Sequence, residues 1–182
     1  AVIRAWKAKM RPGDVYATNA PFDGGSHLPD VTVVTPVFLD GDMPAFFVAN
    51  RGHHADIGGV RPGSMPPFST CIEEEGVVLR NLRIVHQGAF DETGLREALG
   101  RGPYPARNPD ERVSDIRAQI AANAFGERLL HDLCAKYTWP VVEAYMNHVR
   151  ANAAEAMEVM LRRIGDGDYR FEDRLDGGAA IR

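Results

Sequence analysis

One stretch, from Gly24 to Gly59, constrains the chain more than any other. It reads Gly-Gly-Ser-His-Leu-Pro-Asp, then Val31-Thr-Val-Val-Thr-Pro-Val-Phe-Leu, then Asp40-Gly41-Asp42 and Met43-Pro-Ala-Phe-Phe-Val-Ala, and it ends on Asn50-Arg-Gly-His-His-Ala-Asp-Ile-Gly-Gly. Two runs rich in β-branched and aromatic residues around an Asp-Gly predict an antiparallel hairpin. A type I′ turn centred on Asp40-Gly41 sets His27 opposite His54 and Asp30 opposite Arg51. A type II′ turn centred on Gly41-Asp42 sets Asp30 opposite His53 and His27 opposite Asp56. Directly opposed residues have Cβ atoms roughly 4.5–5.5 Å apart, so either register gathers imidazoles and carboxylates at the open end of the hairpin. Pro29 and Pro36 lack the N–H a ladder needs, and pairing is expected to fray toward residue 27.

Three of the six histidines lie in this stretch, each a short step from a carboxylate: His27 with Asp30, and His53 and His54 with Asp56. Imidazole nitrogens with a carboxylate oxygen form a borderline donor set that suits Zn, Mn, Fe or Co. Two histidines and one carboxylate also leave coordination positions open, as a catalytic metal requires. The competing reading is a polar hairpin end, with His27 hydrogen-bonded to Asp30 and the His53-His54 pair capping a turn.

A chain of 182 residues with 45% hydrophobic and 25% charged content has the make-up of one globular domain with a sizeable core, or of a domain and a small appendage. The net charge of −4 and the lack of a dense basic run argue against a nucleic-acid surface. Apolar runs stay under about ten residues, too short for a membrane span. The start, Ala-Val-Ile-Arg-Ala-Trp-Lys, has neither the apolar core nor the cleavage site of a signal peptide. Cys71 and Cys134 stand far apart without metal-ligand spacing, as expected of two reduced thiols in the cytoplasm. The first residue is not Met and the last words, Leu-Asp-Gly-Gly-Ala-Ala-Ile-Arg, read as mid-domain, so a fragment of a longer protein is expected.

The fold class expected is α+β, with a β-rich N-terminal half around the central hairpin and a helical C-terminal half containing a long αα unit. Residues 1–90 form the β-rich region, 91–164 the helical region, and 165–182 begin a further strand without a partner. Val2, Ile3, Trp6 and Met10 predict a first helix that Pro12-Gly13 stops. The Pro- and Gly-rich run from Val60 to Thr70 predicts an irregular loop, a candidate wall or lid for a pocket. Its Ser64 reads as a turn serine, and Glu73-Glu-Glu as a solvated face. Asp91 to Leu99 makes a short helix, and Asn108-Pro-Asp-Glu caps a longer one with apolar positions Val113, Ile116, Ile120, Ala124 and Leu130. Asp115, Gln119 and Asn123 form a polar row on that helix, read as a surface stripe or as a row pointed into a pocket. A second helix from about Val141 to Ile164 is expected to bury Val142, Tyr145, Val149, Ala153, Ala156, Met160 and Ile164. His86, His131 and His148 read as structural or surface residues. Neither a phosphate-binding Gly-x-x-x-x-Gly-Lys loop nor a Gly-x-Gly-x-x-Gly fingerprint is present.

Thr18-Asn-Ala-Pro-Phe-Asp-Gly-Gly-Ser-His-Leu-Pro-Asp-Val-Thr-Val-Val-Thr-Pro-Val-Phe, Ala49-Asn-Arg-Gly-His-His-Ala-Asp-Ile-Gly-Gly and Pro62-Gly-Ser-Met-Pro-Pro resemble the hydantoinase B/oxoprolinase family. So do Ser114-Asp-Ile-Arg-Ala-Gln-Ile-Ala-Ala-Asn and Gly167-Asp-Tyr-Arg-Phe-Glu-Asp. The resemblance covers nearly the whole chain and only the N-terminal part of family members. It implies a subunit, or fused half, of an ATP-dependent enzyme that opens a cyclic amide such as a lactam or hydantoin. A B-type subunit of a ketone carboxylase, or a non-catalytic module docking the ATPase, are the alternatives; a stand-alone Fe(II) facial triad is a weaker one. In this family's division of labour an A-type partner binds ATP and Mg and phosphorylates a substrate oxygen, so this chain is expected in a cytoplasmic hetero-oligomer. Carried over residue by residue, the resemblance implies His27, Asp30 and His53 as ligands of a divalent metal (Zn, Mn or Fe). It makes Asp56 the next candidate, as a fourth ligand or an acceptor orienting an imidazole, and His54 a weaker one; the mechanism expected from these residues has Asp56 or His54 as general base. Ala20 stands where many relatives carry Asp, so no carboxylate role is carried over there.

Overall fold

The computed structural model describes residues 1–63, 66–174, 176–178 and 180–181. The expected wall loop is therefore described only in part, and Ser64 lies outside the described residues. In chain order the elements are α1 (Val2–Trp6), β1 (Val15–Thr18), β2 (Asp30–Phe38), β3 (Pro44–His53), α2 (Ile72–Glu75), β4 (Leu82–His86), β5 (Ala89–Phe90), α3 (Glu92–Leu99), α4 (Pro109–Tyr137), α5 (Trp139–Ile164), β6 (Asp173–Arg174) and β7 (Ala180–Ile181). This is the expected mixture of an antiparallel sheet followed by long helices. Two compact units divide at residues 132 and 133, inside α4. The change from strand to helix near residue 90 is thus a change of element type and not the boundary between units.

In the first unit the strands form one antiparallel sheet in the order β3-β2-β1-β4-β5. Strand alternation gives it two different faces. Ala17, Val31, Val33 and Ile84 build a core with Leu95, Ala98 and Leu99 of α3 and Val113 and Ile116 of α4. On the other face, Tyr16 and Phe38 pack with Val2 and Met10, and Trp6 and Val34 join them. The Trp6 indole donates to Asn81 O at 2.8 Å, which pins α1 down. Asp14 is fully buried and tolerable because Tyr16 Oη, Arg11 N and Gln87 N all donate to its carboxylate. Burial and that same carboxylate push the Tyr16 phenol well above its ordinary pKa.

The β2–β3 ladder sets Asp30 opposite His53, Val31 opposite Gly52 and Thr32 opposite Arg51, in step as far as Val37 and Phe46. This is the register that the Gly41-Asp42 alternative gives, yet no two-residue turn forms. A slip between Val37 and Phe38 pairs Phe38 with Pro44, leaving a five-residue connection from 39 to 43. The ladder also stops at Asp30, so His27 never comes opposite Asp56. Pro36 lies beyond Val34, the last β2 residue paired with β1, and its missing N–H deprives no β1 partner.

The C-terminal half departs from expectation in three places. The buried side chains of α4 are Arg112, Val113, Ile116, Gln119 and Asn123, while Ala124 is exposed. Two of the three members of the polar row, Gln119 and Asn123, therefore lie on an inner face. On α5 only Val142 is buried; Tyr145, Val149, Met160 and Ile164 are 54–68% exposed, so that apolar seam has no cover among the described residues. The C-terminal strand is not alone, because β6 pairs with β7 through Asp173 with Ile181 and Arg174 with Ala180.

Asn19 follows β1 and ties three segments together. Its Nδ2 donates to Leu28 O at 2.8 Å and Val77 O at 2.9 Å, and Leu79 N donates to its Oδ1 at 2.7 Å. All of these groups are buried, so removing the amide strands two carbonyls and an N–H. Asn19→Ala is expected to lower the unfolding free energy by about 2–4 kcal/mol in a denaturant melt. A loss under about 0.5 kcal/mol, the range of neutral surface changes, would show that the tie is dispensable.

Candidate metal centre

The open end of the hairpin is built by three carriers. Asp30 begins β2 and His53 ends β3, and their pairing puts both side chains on the face opposite the α3–α4 core. His27 arrives on the connection from β1, which Asn19 fixes through Leu28. Gly25 allows that connection to close tightly: its N–H donates to Ala20 O at 2.9 Å, and a Cβ there would stand 2.4 Å from Asn19 O. Asp30 N donates to His27 O at 3.0 Å and His54 N to Pro29 O at 2.8 Å, stitching the connection to the ends of both strands.

His53 Nδ1 lies 2.8 Å from Asp30 Oδ1. A carboxylate can only accept, so the Nδ1 carries the proton and the imidazole lone pair is at Nε2. The His27 and His53 rings face one another at 5.6 Å between centroids and 30° between planes. One donor atom from each of His27, Asp30 and His53 lies within 4.8 Å of the others. His27 Nε2 is buried without a hydrogen-bond partner, an unfavourable state for an imidazole nitrogen unless a ligand satisfies it. Two nitrogens and a carboxylate oxygen at this separation, one of them orphaned, fit a divalent ion of the Zn, Mn or Fe class.

His54 and Asp56 are not part of this convergence. His54 follows His53 and points to the other side of the sheet, where its side chain is almost fully buried. Its Nε2 lies 3.0 Å from Gln119 Oε1. Gln119 Nε2 donates to Val31 O at 3.0 Å and to Asn50 Oδ1 at 2.8 Å, which fixes the amide with its oxygen toward His54. His54 therefore donates from Nε2, and its Nδ1 lone pair is buried without a hydrogen bond, 3.8 Å from Asp115 Oδ2. Burial is the main cause that lowers the His54 pKa. Asp56 is clamped by Arg107, which donates its backbone N–H at 2.7 Å and its Nη1 at 2.5 Å. Arg107 Nη2 also donates to Gly59 O, and buried Arg112 donates to Asp56 O at 3.2 Å.

Asn19, Gln119 and Arg107 were not legible as site residues in the sequence. The signal for Gln119 was the row Asp115, Gln119, Asn123. Asn123 continues it, donating to Val33 O and Thr35 Oγ1 at 3.1 Å and accepting from Asn50 Nδ2 at 2.8 Å. Gln119 and Asn123 are thus neither a surface stripe nor a pocket lining but amides hydrogen-bonded to the back of the hairpin, while Asp115 stays half-exposed and pairs with Arg112.

Residues 1–182 match the sequence pattern of the Hydantoinase B/oxoprolinase family. The chain is 43% identical over 175 residues to 5-oxoprolinase 1 of Arabidopsis thaliana, a match that covers 90% of this chain and 14% of that protein. It is 49% identical over 154 residues to the 5-oxoprolinase of Dictyostelium discoideum, covering 85% of this chain and 12% of that one. The crystal structure of the ATP-dependent caprolactamase from Pseudomonas jessenii superposes with a TM-score of 0.86 at 30% identity, over 98% of this chain and 30% of that chain. The chain thus spans a small part of the length of each relative. With its whole length matched, it belongs to the hydantoinase B/oxoprolinase family.

Proposed function

We propose that this chain carries the ring-opening site of an ATP-dependent hydrolase of cyclic amides, with His27, Asp30 and His53 holding a divalent metal. The observation that carries the reading is the orphaned, buried His27 Nε2 facing the Asp30–His53 pair. The reaction class draws on the 5-oxoprolinase relatives and on the caprolactamase likeness. ATP and Mg belong on an A-type ATPase partner, separate or fused, which activates the lactam or hydantoin before this site acts. Two free cysteines support a reducing cytoplasmic setting, and no described helix is long and apolar enough to cross a membrane.

A bound ion would supply Lewis acidity toward a carbonyl or phosphorylated oxygen, or a lowered water pKa. The residues of the chain prepare for it. Asp30 fixes the His53 ring through its Nδ1 proton, and an ion held by both side chains would displace that proton. Asn19 places His27 through the adjacent Leu28 carbonyl. His54 keeps its proton on Nε2 through Gln119 and holds the end of β3 to α4, a positioning role. Asp56, clamped by Arg107, secures the segment after β3 in the same way.

Metal analysis of the purified full-length protein should find a stoichiometric divalent ion, and His27→Ala should lose it along with ATP-dependent turnover. Metal retained in His27→Ala, with association to the ATPase lost, would instead mark the hairpin end as a docking surface. A second measurement concerns His54. Its folded pKa lies below the unfolded value of about 6.5, so below about pH 6.5 the unfolded state binds the extra proton first. With metal chelated, stability should be at its plateau above that pH and fall on acidification toward the folded pKa. His54→Gln should flatten the slope of unfolding free energy against pH in that window; an unchanged slope would contradict the buried neutral imidazole.

A further inference from the structure

The open face of the sheet carries a second polar pair beside the metal-binding cluster. Arg51 shares a face with His53 two residues on, at about 7 Å along the strand, and the ladder places Arg51 opposite Thr32, adjacent to the Asp30–His53 pair. Arg51 Nε donates to Thr32 Oγ1 at 2.9 Å, and its Nη1 donates to Ser26 Oγ at 3.2 Å. Other arginines of this unit meet carboxylates: Arg80 with Asp23, Arg107 with Asp56, Arg117 with Glu92. Arg51 meets hydroxyls, and the carboxylate one step away, Asp30, is engaged by His53 instead.

That arrangement has a chemical consequence. A hydroxyl oxygen that accepts from a guanidinium turns its own proton elsewhere, so Thr32 and Ser26 both present O–H donors. Among the described residues neither proton has an acceptor, and the guanidinium keeps N–H groups and a positive charge without a carboxylate partner. Thr18, which pairs with Thr32 from β1 and so shares its face, adds a buried hydroxyl without a hydrogen-bond partner. A cation whose own partners are hydroxyls with free protons, the nearby carboxylate being taken up by His53, has the composition of an oxyanion receptor.

We propose that Arg51, Thr32 and Ser26 form an oxyanion subsite flanking the His27–Asp30–His53 cluster, where the anionic group of the substrate binds. The proposal rests on the reading of that cluster as the reaction site and names what the site selects: a cyclic amide bearing an oxyanion. The oxyanion has two chemical sources, a carboxylate attached to the ring or a phosphoryl group placed on the substrate at the expense of ATP. Both present acceptor oxygens to the same donors.

The test titrates inorganic phosphate by calorimetry into the full-length protein, metal-loaded and chelated. Arg51→Ala, at an exposed position, should leave metal content unchanged and weaken phosphate binding about tenfold or more in both states. Arg51→Lys should recover part of it, and Thr32→Val should weaken it several-fold. Phosphate binding within twofold of the parent in Arg51→Ala would overturn the subsite, whatever the metal analysis shows; metal absent from the parent protein with phosphate binding still dependent on Arg51 would overturn the cluster reading alone. Turnover by the complete ATP-dependent enzyme then separates the sources. If the subsite takes a ring carboxylate, Arg51→Ala raises KM for 5-oxoproline and not for caprolactam, which has no carboxylate. If it takes a phosphoryl group, kcat falls for both substrates. Unchanged KM and kcat for both would overturn a role in substrate binding.

Discussion

The side chain of Gln119 is the point through which helix, hairpin and site depend on one another. Its oxygen accepts from His54, and its nitrogen donates to the carbonyl of Val31 and to Asn50. Val31 follows Asp30 and His54 follows His53, so one amide grips both strands immediately behind two of the three cluster residues. The grip needs space, and Gly52 provides it: a Cβ there would stand 3.0 Å from Gln119 Nε2 and 3.2 Å from its Cδ. Each bond contributes about 1 kcal/mol net, but leaving one of these buried groups unpaired costs about 1–3 kcal/mol. The network is therefore worth most as a constraint on arrangement, since any other seating of the helix strands several polar atoms at once.

The sheet separates this support from the chemistry it serves. Alternation along β3 sends Asn50, Gly52 and His54 toward α4 and Arg51 and His53 to the open face. Two adjacent histidines of the same composition thereby acquire different properties. His53 is mostly exposed, with its protonation site set by Asp30, whereas His54 is enclosed, with its proton fixed by Gln119. Asn19 acts in the same manner for the third member, from the core side of the β1 connection. Each cluster residue is positioned through a chain neighbour that is hydrogen-bonded in the interior, which leaves the cluster atoms themselves free of competing bonds.

The antiparallel hairpin, the convergence at its open end and the cap at Asn108 were readable from residue pattern, because each is a signal local in the sequence. The connection at 39–43 was not, since the Asp-Gly signal fits a two-residue turn and nothing in Leu39 to Met43 encodes the slip at Val37. Helical periodicity put Asp115, Gln119 and Asn123 in one line but could not say which way the line faced. An amide that satisfies a strand carbonyl looks, in sequence, like an amide exposed to water. The seam of α5 illustrates the converse: periodicity reports an apolar face and carries no information on whether anything covers it. Asn19 was invisible for a third reason, because its three partners lie up to 60 residues away.

The two registers open to the hairpin differ by two residues, so both keep every side chain on its own face and hydrophobic patterning cannot choose between them. In one, Asp30 stands opposite Arg51 and the natural outcome is an ion pair that neutralises both. In the other, Asp30 stands opposite His53, and Arg51 moves to Thr32. The observed register is the second: it sets Gly52 opposite Val31, where a Cβ would stand 3.0 Å from Gln119 Nε2, and so gives that amide room to reach the Val31 carbonyl. The same choice that gives the carboxylate to an imidazole leaves the guanidinium unneutralised beside it. The electrostatic character of this face, one acid-oriented imidazole beside a second and next to a cation without a carboxylate partner, thus goes with the register that seats Gln119 on the opposite side of the sheet.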